Sequence, residues 1–246
     1  MATNVKNILV GAADLYISNA SGSSRPSTST ASLTSLFGTA HSARTQLSAS
    51  NAWREAGYTN NGLDVSYEPN YGEVMVDQLL DAARLFKQSL KVILKTELTE
   101  GTLENLHLSW GQMDSYYVAG TDTPVNTIAQ TTPVSGEQGA TMNMAAGALG
   151  DTPVERALLA VGNAPYQQGR SYTAAGSTVS GNTSNLRNKE RVYVARRVVS
   201  IDTTAHALKR DSATVFPVTF RCLPDDNSDY AGSEYGVVID RVWGTN

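Results

Sequence analysis

The sequence predicts a mainly β protein, a sandwich or barrel of about eight strands flanked by one α-helix and interrupted by long loops. Three observations predict it. Several short segments alternate apolar and polar side chains with period two, the mark of a strand with one buried face. Three runs in the last quarter of the chain, Arg191–Val199, Thr214–Cys222 and Tyr235–Val242, are rich in strand formers. One segment, Thr99–Trp110, changes to a helical period: Leu103, Leu106 and Trp110 fall at i, i+3 and i+7, and Gly111 stands where a helix ends.

Taken in order, Ile8–Ile17 reads as a strand bent at Gly11. From Ser18 to Ser50 the composition turns to Ser, Thr, Gly and Ala, too poor in apolar area to offset its ordering entropy. This predicts a long arm anchored at most by Leu33, Leu36 and Phe37. Leu63–Glu68 alternates, Pro69–Gly72 has turn chemistry, and Glu73–Gln78 resumes as a strand, which predicts a hairpin. Matched face to face, its strands put Asp64, Ser66, Glu68, Glu73 and Asp77 on one side, with Leu63, Val65, Tyr67, Val74 and Val76 on the other. Leu79–Phe86 is a short connection with helical character. Ser89–Leu98 is a strand, with Leu90, Val92, Leu94 and Leu98 inward and Lys91, Lys95 and Glu97 outward. Ala157–Val161 is another, ended by Gly162. The stretches 112–150 and 167–188 carry little pattern, so the expectation is a single domain over 1–246 with arms at 18–50, 112–150 and 167–188.

Composition excludes several function classes. Charged residues are 17% of the 246, and 19 basic against 23 acidic side chains give a net charge of −4, which argues against a nucleic-acid-binding module. The one cysteine, Cys222, forms no internal disulfide, and His41, His107 and His206 are too dispersed for a zinc site. No apolar run is long enough to span a bilayer, and no cleavage site follows the apolar N-terminal stretch, so neither membrane insertion nor a signal peptide is expected.

Motifs for chemistry fail one by one. Glycine-rich nucleotide loops and the nucleophile elbow are missing. Carboxylates of the Asp64–Asp77 hairpin lack the aromatic platforms of a sugar cleft, and a solvated or lumen-facing charge run is the better reading. Asp225–Asp229 opens like a calcium loop but has Tyr230 and Gly236 at the positions of the required glycine and glutamate, so it reads as an Asx-rich turn. Asn19 and Asn182 fit the glycosylation pattern by chance. Arg196 and Arg197 point to opposite faces of their strand, and with Arg191 they suit pairing with acidic neighbours. Trp53, Trp110 and Trp243 read as core or interface anchors. No catalytic residue, cofactor or metal is expected.

Three blocks carry a family resemblance: Trp53–Gly62 leading into the hairpin; Leu90–Glu100 leading into Gly101-Thr102-Leu103-Glu104-Asn105-Leu106; and Phe216–Asp225 with Tyr235–Asp240. Their order and wording resemble the major tail tube proteins of long-tailed (siphovirus-type) bacteriophages. The long 18–50 insertion and the weakly patterned 112–150 stretch depart from that family. The resemblance implies a β-sandwich or barrel with a flanking helix, a structural virion protein with no catalysis and no cofactor. Its subunits would form hexameric rings stacked into a tail tube. The partners implied are further copies of itself, the tape-measure protein, the tail terminator and the baseplate or tail-tip proteins. Double-stranded DNA would pass through without specific binding, and assembly would occur in the host cytoplasm. Such a conduit should not hold its cargo, and a lumen lined by Asp64, Ser66, Glu68, Glu73 and Asp77 would repel phosphates over the ~8 Å screening length. The competing expectation is a β-sandwich binding or adhesion module.

Overall fold

A computed structural model of the chain describes residues 11–18, 42–48, 53–78, 80–111, 128–131, 139–142, 149, 155–165, 171–174, 177–180, 189–202, 205–208, 210–211 and 213–243. The elements are β1 (Asp14–Ser18), α1 (Ala43–Ser48), β2 (Trp53–Glu55), β3 (Thr59–Val74), β4 (Arg84–Leu98), α2 (Leu103–Ser109), β5 (Ile128–Thr131), β6 (Gly139–Met142), β7 (Arg156–Asn163), β8 (Ser171–Ala174), β9 (Ser177–Ser180), β10 (Lys189–Ser200), β11 (Phe216–Cys222) and β12 (Gly236–Val242). The protein is mainly β. Eight strands form one antiparallel sheet in the order β2-β1-β7-β10-β11-β4-β3, with β12 also paired to β10. The ribbons β5–β6 and β8–β9 stand apart from it, inside stretches expected to lack pattern. No helix among the described residues is long and apolar enough to cross a membrane.

The sheet folds over on itself at β10. Residues Lys189–Ala195 pair with β12 along one edge, Val198–Ser200 pair with β11, and the register with β7 shifts between Ala195 and Val198. A bulge of this kind bends a strand and lets it serve two layers. Leu15 and Ile17 of β1 and Leu158 and Ala160 of β7 therefore share one core cluster with Leu94 and Leu98 of β4 and with Phe216, Val218 and Phe220 of β11. A flat sheet, with two strands separating β1 from β11, could not bring those faces together.

Arginines at the bulge are consumed internally, as their alternation predicted. Arg196 is fully buried, with its guanidinium 3.8 Å from the Tyr230 ring centroid and Nε donating to the Ser233 carbonyl at 3.0 Å. Arg197 points elsewhere and makes a two-pronged bond to Glu155 at 2.6 and 2.8 Å, while Arg191 does the same with Asp240. The Asp225–Asp229 turn is structural: Asn227 caps a single 3-10 turn, Ser228–Tyr230, and the Asp225 carboxylate accepts from the Asn227 N–H.

Central strand β7 is buried on both faces. Leu158 and Ala160 face the first cluster, whereas Ala157, Leu159 and Val161 join Tyr16, Trp53, Val192 and Val194 in a second one beneath α1. Complete burial of Leu158 and Leu159 stabilises by about 2 kcal/mol each. Helix α1 corrects the expectation of an unpatterned arm as far as Ser50, most of which lies outside the described residues. Ala43 and Leu47, one turn apart, are buried against the sheet, and the Ala43 N–H donates to Glu190 Oε1 of β10 at 2.8 Å. Its stabilising partner lies 147 residues away, which local pattern could not reveal. Of the strand expected over Ile8–Ile17, residues 8–10 lie outside the described residues, and the described strand runs from Asp14 to Ser18.

Helix α2 forms where expected, capped at its start by the Thr102 hydroxyl, which accepts from the Asn105 N–H. Its expected anchors are corrected in part. Leu103, Leu106 and Trp110 are half-buried, and of these Leu106 packs on the core; the buried positions are Asn105, His107, Leu108 and Ser109. Asn105 ties the helix to the neighbouring backbone, donating to the Ala56 and Glu100 carbonyls and accepting from Arg54 at 2.8 Å.

Candidate functional site

Strands β3 and β4 are 16 and 15 residues long, and they pair along their whole length from Thr59–Leu98 to Val74–Arg84. This overturns the predicted turn at Pro69–Gly72. The chain runs straight through, and the reversal lies between Val74 and Arg84. Proline is tolerated because β3 is an edge strand, whose outward-pointing nitrogens have no ladder to serve. Gly72 serves close approach rather than a turn: a Cβ there would collide with the Phe86 and Gln88 side chains across the ribbon. Of the expected helical connection at Leu79–Phe86, residue 79 lies outside the described residues, and the rest forms the tip and the first residues of β4.

Strand β11 covers β4 only from Val92 to Leu98. Arg84 lies eight residues beyond Val92, so a two-stranded ribbon projects past the third strand by about 25 Å at ~3.3 Å per residue. The burial pattern records the change: Leu94, Thr96 and Leu98 are buried, whereas every residue from Arg84 to Ser89 is exposed. The ribbon nevertheless carries large apolar side chains, among them Tyr67 (62% exposed), Met75 (62%), Leu85 (60%), Tyr71 and Phe86. One local contact steadies its base: the Lys87 ammonium lies 5.6 Å from the Tyr67 ring centroid and donates to the Tyr67 hydroxyl. A two-stranded hairpin alone is marginal in water, and a continuous exposed apolar surface marks a contact site.

Register decides where the five expected lumen residues go. Asp64, Ser66 and Glu68 do share one face, and Ser66 Oγ donates to Glu68 Oε1 at 2.8 Å. Glu73 falls on the opposite face of the same continuous strand by alternation, and Asp77 lies in the tip turn. The all-acidic face is thus corrected. Asp64 stands opposite Lys95 and Glu68 opposite Lys91, because the true partner of β3 is β4. Arg221 of β11 continues the row of Ser66 and Ile93, and the Glu97 carboxylate accepts from the Asn60 and Asn61 amides. Sequence reasoning placed Lys91, Lys95 and Glu97 outward correctly but did not pair their strand with Asp64–Glu68.

Beneath the ribbon base lies a cavity of about 570 Å³ between β3–β4 and β10–β12, lined largely by apolar groups including Val65, Leu90, Val92, Tyr193 and Val238. Cys222 borders it, and burial pushes its thiol up to about 12. Among the described residues no group of three or more His, Cys, Asp or Glu side chains is placed to hold a metal ion. Strands β2, β3 and β12 each have a hydrogen-bonded neighbour on one side only among the described residues.

Comparison of the chain with protein-family models returned no match, and neither did comparison with curated proteins.

Proposed function

We propose that the chain is a structural virion protein that self-assembles into stacked hexameric rings, the tail tube of a long-tailed bacteriophage. The observation that carries this reading is the β3–β4 ribbon, an element about 25 Å long with apolar side chains exposed and an unpaired edge. Among the described residues nothing covers it. A neighbouring subunit would, and pairing edge to edge around a ring removes the exposed ladders that otherwise invite uncontrolled association. Donor and acceptor surfaces on such a subunit differ, so the contact is heterologous and propagates into rings or filaments rather than closing as a two-fold dimer. The family resemblance of the Trp53–Gly62, Leu90–Leu106 and Phe216–Asp225 with Tyr235–Asp240 blocks supports the same reading. In it the charged outer face of β3–β4 lines the bore, the partners are the tape-measure, terminator and tail-tip proteins, and DNA passes through without specific binding. The protein then resides in the virion tail after assembly in the host cytoplasm.

A second reading, a β-sandwich binding module, draws on the apolar cavity beside exposed Tyr67. Negative-stain electron microscopy of the purified full-length protein separates the two. Hollow rings or tubes support the first; compact monomers at every concentration support the second.

A further inference from the structure

We infer that the outer face of the β3–β4–β11 layer is a sliding surface for a polyanionic duplex, made non-adhesive by charge cancellation between strands rather than by an excess of acid. The inference rests on the ring reading for its setting, since it gives the bore-lining face its chemistry. The register supplies the argument. The strands of this face carry three carboxylates, Asp64, Glu68 and Glu97, and four cations, Arg84, Lys91, Lys95 and Arg221, and a fourth carboxylate, Asp202, accepts from Thr219 of β11 on the same face. Asp64 faces Lys95 and Glu68 faces Lys91 directly across the ladder, where Cβ atoms are about 5 Å apart. Opposite charges set in facing columns offset one another at distances greater than their spacing, so the net field of the face falls off faster than that of a single charge, within the ~8 Å screening length. A passing phosphate therefore meets lysines that already face carboxylates, and no wall of like charge to climb. Acidic and basic columns run along adjacent strands, so the cancellation repeats along the direction of the ladder.

Fluorescence anisotropy of the full-length protein with a short DNA duplex at low salt tests this, on soluble subunits and on tubes. Wild type should show no measurable binding. D64N/E68Q, exposed substitutions expected to melt like wild type, should bind at least about tenfold tighter, with a log–log salt slope steeper by about 0.9 for each lysine released. Adding K91Q/K95Q to that variant should abolish the gain. Tight binding by wild type, or no gain in D64N/E68Q, overturns the inference. The two readings fail separately: a gain without any tubes sinks the ring assignment alone, whereas tubes without a gain sink the charge-cancelled surface alone.

Discussion

Glu68 on β3 and Lys91 on β4 face each other across an antiparallel ladder, on the side of the ribbon turned away from the core. Both are exposed, and opposite charges at such positions contribute about 0–1 kcal/mol. The pairing therefore matters for the character of the surface, not for the fold. Stability lies elsewhere, in the two clusters on either face of β7 and in the buried polar ties around them.

The ribbon should separate assembly from folding. Met75→Asp with Leu85→Asp places charge on two exposed apolar positions, so the monomer should keep its stability within about 0.5 kcal/mol. Ring formation should be lost, as read by sedimentation and electron microscopy beside a thermal melt. Unimpaired rings would remove the ribbon from the interface.

Asn105 is the polar residue whose loss should be felt most in α2. Asn105→Ala strips the bonds to the Ala56 and Glu100 carbonyls and leaves Arg54 without this acceptor. Leaving such buried groups unsatisfied costs about 2–4 kcal/mol. Asn105→Asp, which retains only the acceptor toward Arg54, should fall between Ala and wild type in urea unfolding.

At Gly236 the backbone holds φ at 151°, and a Cβ would collide with the Val194 carbonyl oxygen. Gly236→Ala should therefore loosen the start of β12 from β10 and destabilise by about 3 kcal/mol. A melt indistinguishable from wild type would contradict the described pairing of Ala195 with Gly236.

Cys222 gives the pH dependence. Its thiol is raised from 9.0 to about 12 by burial, so the folded state holds the proton more tightly than the unfolded state. The protein then binds more protons folded than unfolded above pH 9, and stability from this group declines as pH rises from about 9 to 12. Cys222→Ala should flatten that decline in chemical unfolding. A thiol reagent at pH 8 should label the native protein far more slowly than the urea-unfolded chain.

What was legible in the sequence follows from which contacts are local. Ala157–Val161 and Val192–Val199 could be read because, Arg196 and Arg197 apart, their burial selects apolar residues. Ser89–Leu98 alternated visibly because the core takes one face of its inner half, where β11 pairs its edge, and water takes the other. The distal ribbon was illegible for the converse reason: no part of the described chain buries either face of Arg84–Ser89, so no period was imposed, and Pro69–Gly72 then looked like a turn. The composition of the charged face was lost with it, since moving the turn exchanged the partner of β3 for the lysine-bearing β4. Helix α1, held by Glu190, and Asn105, held by Arg54 and Ala56, depend on partners far along the chain.

The central claim is that the β3–β4 ribbon is completed by a neighbouring copy, and amide hydrogen exchange tests it most directly. Between Tyr71 and Gln88 the account predicts exchange at least about tenfold slower in assembled protein than in monomer, while β7, already buried on both faces, changes little. Equal exchange of the ribbon in both states would contradict it.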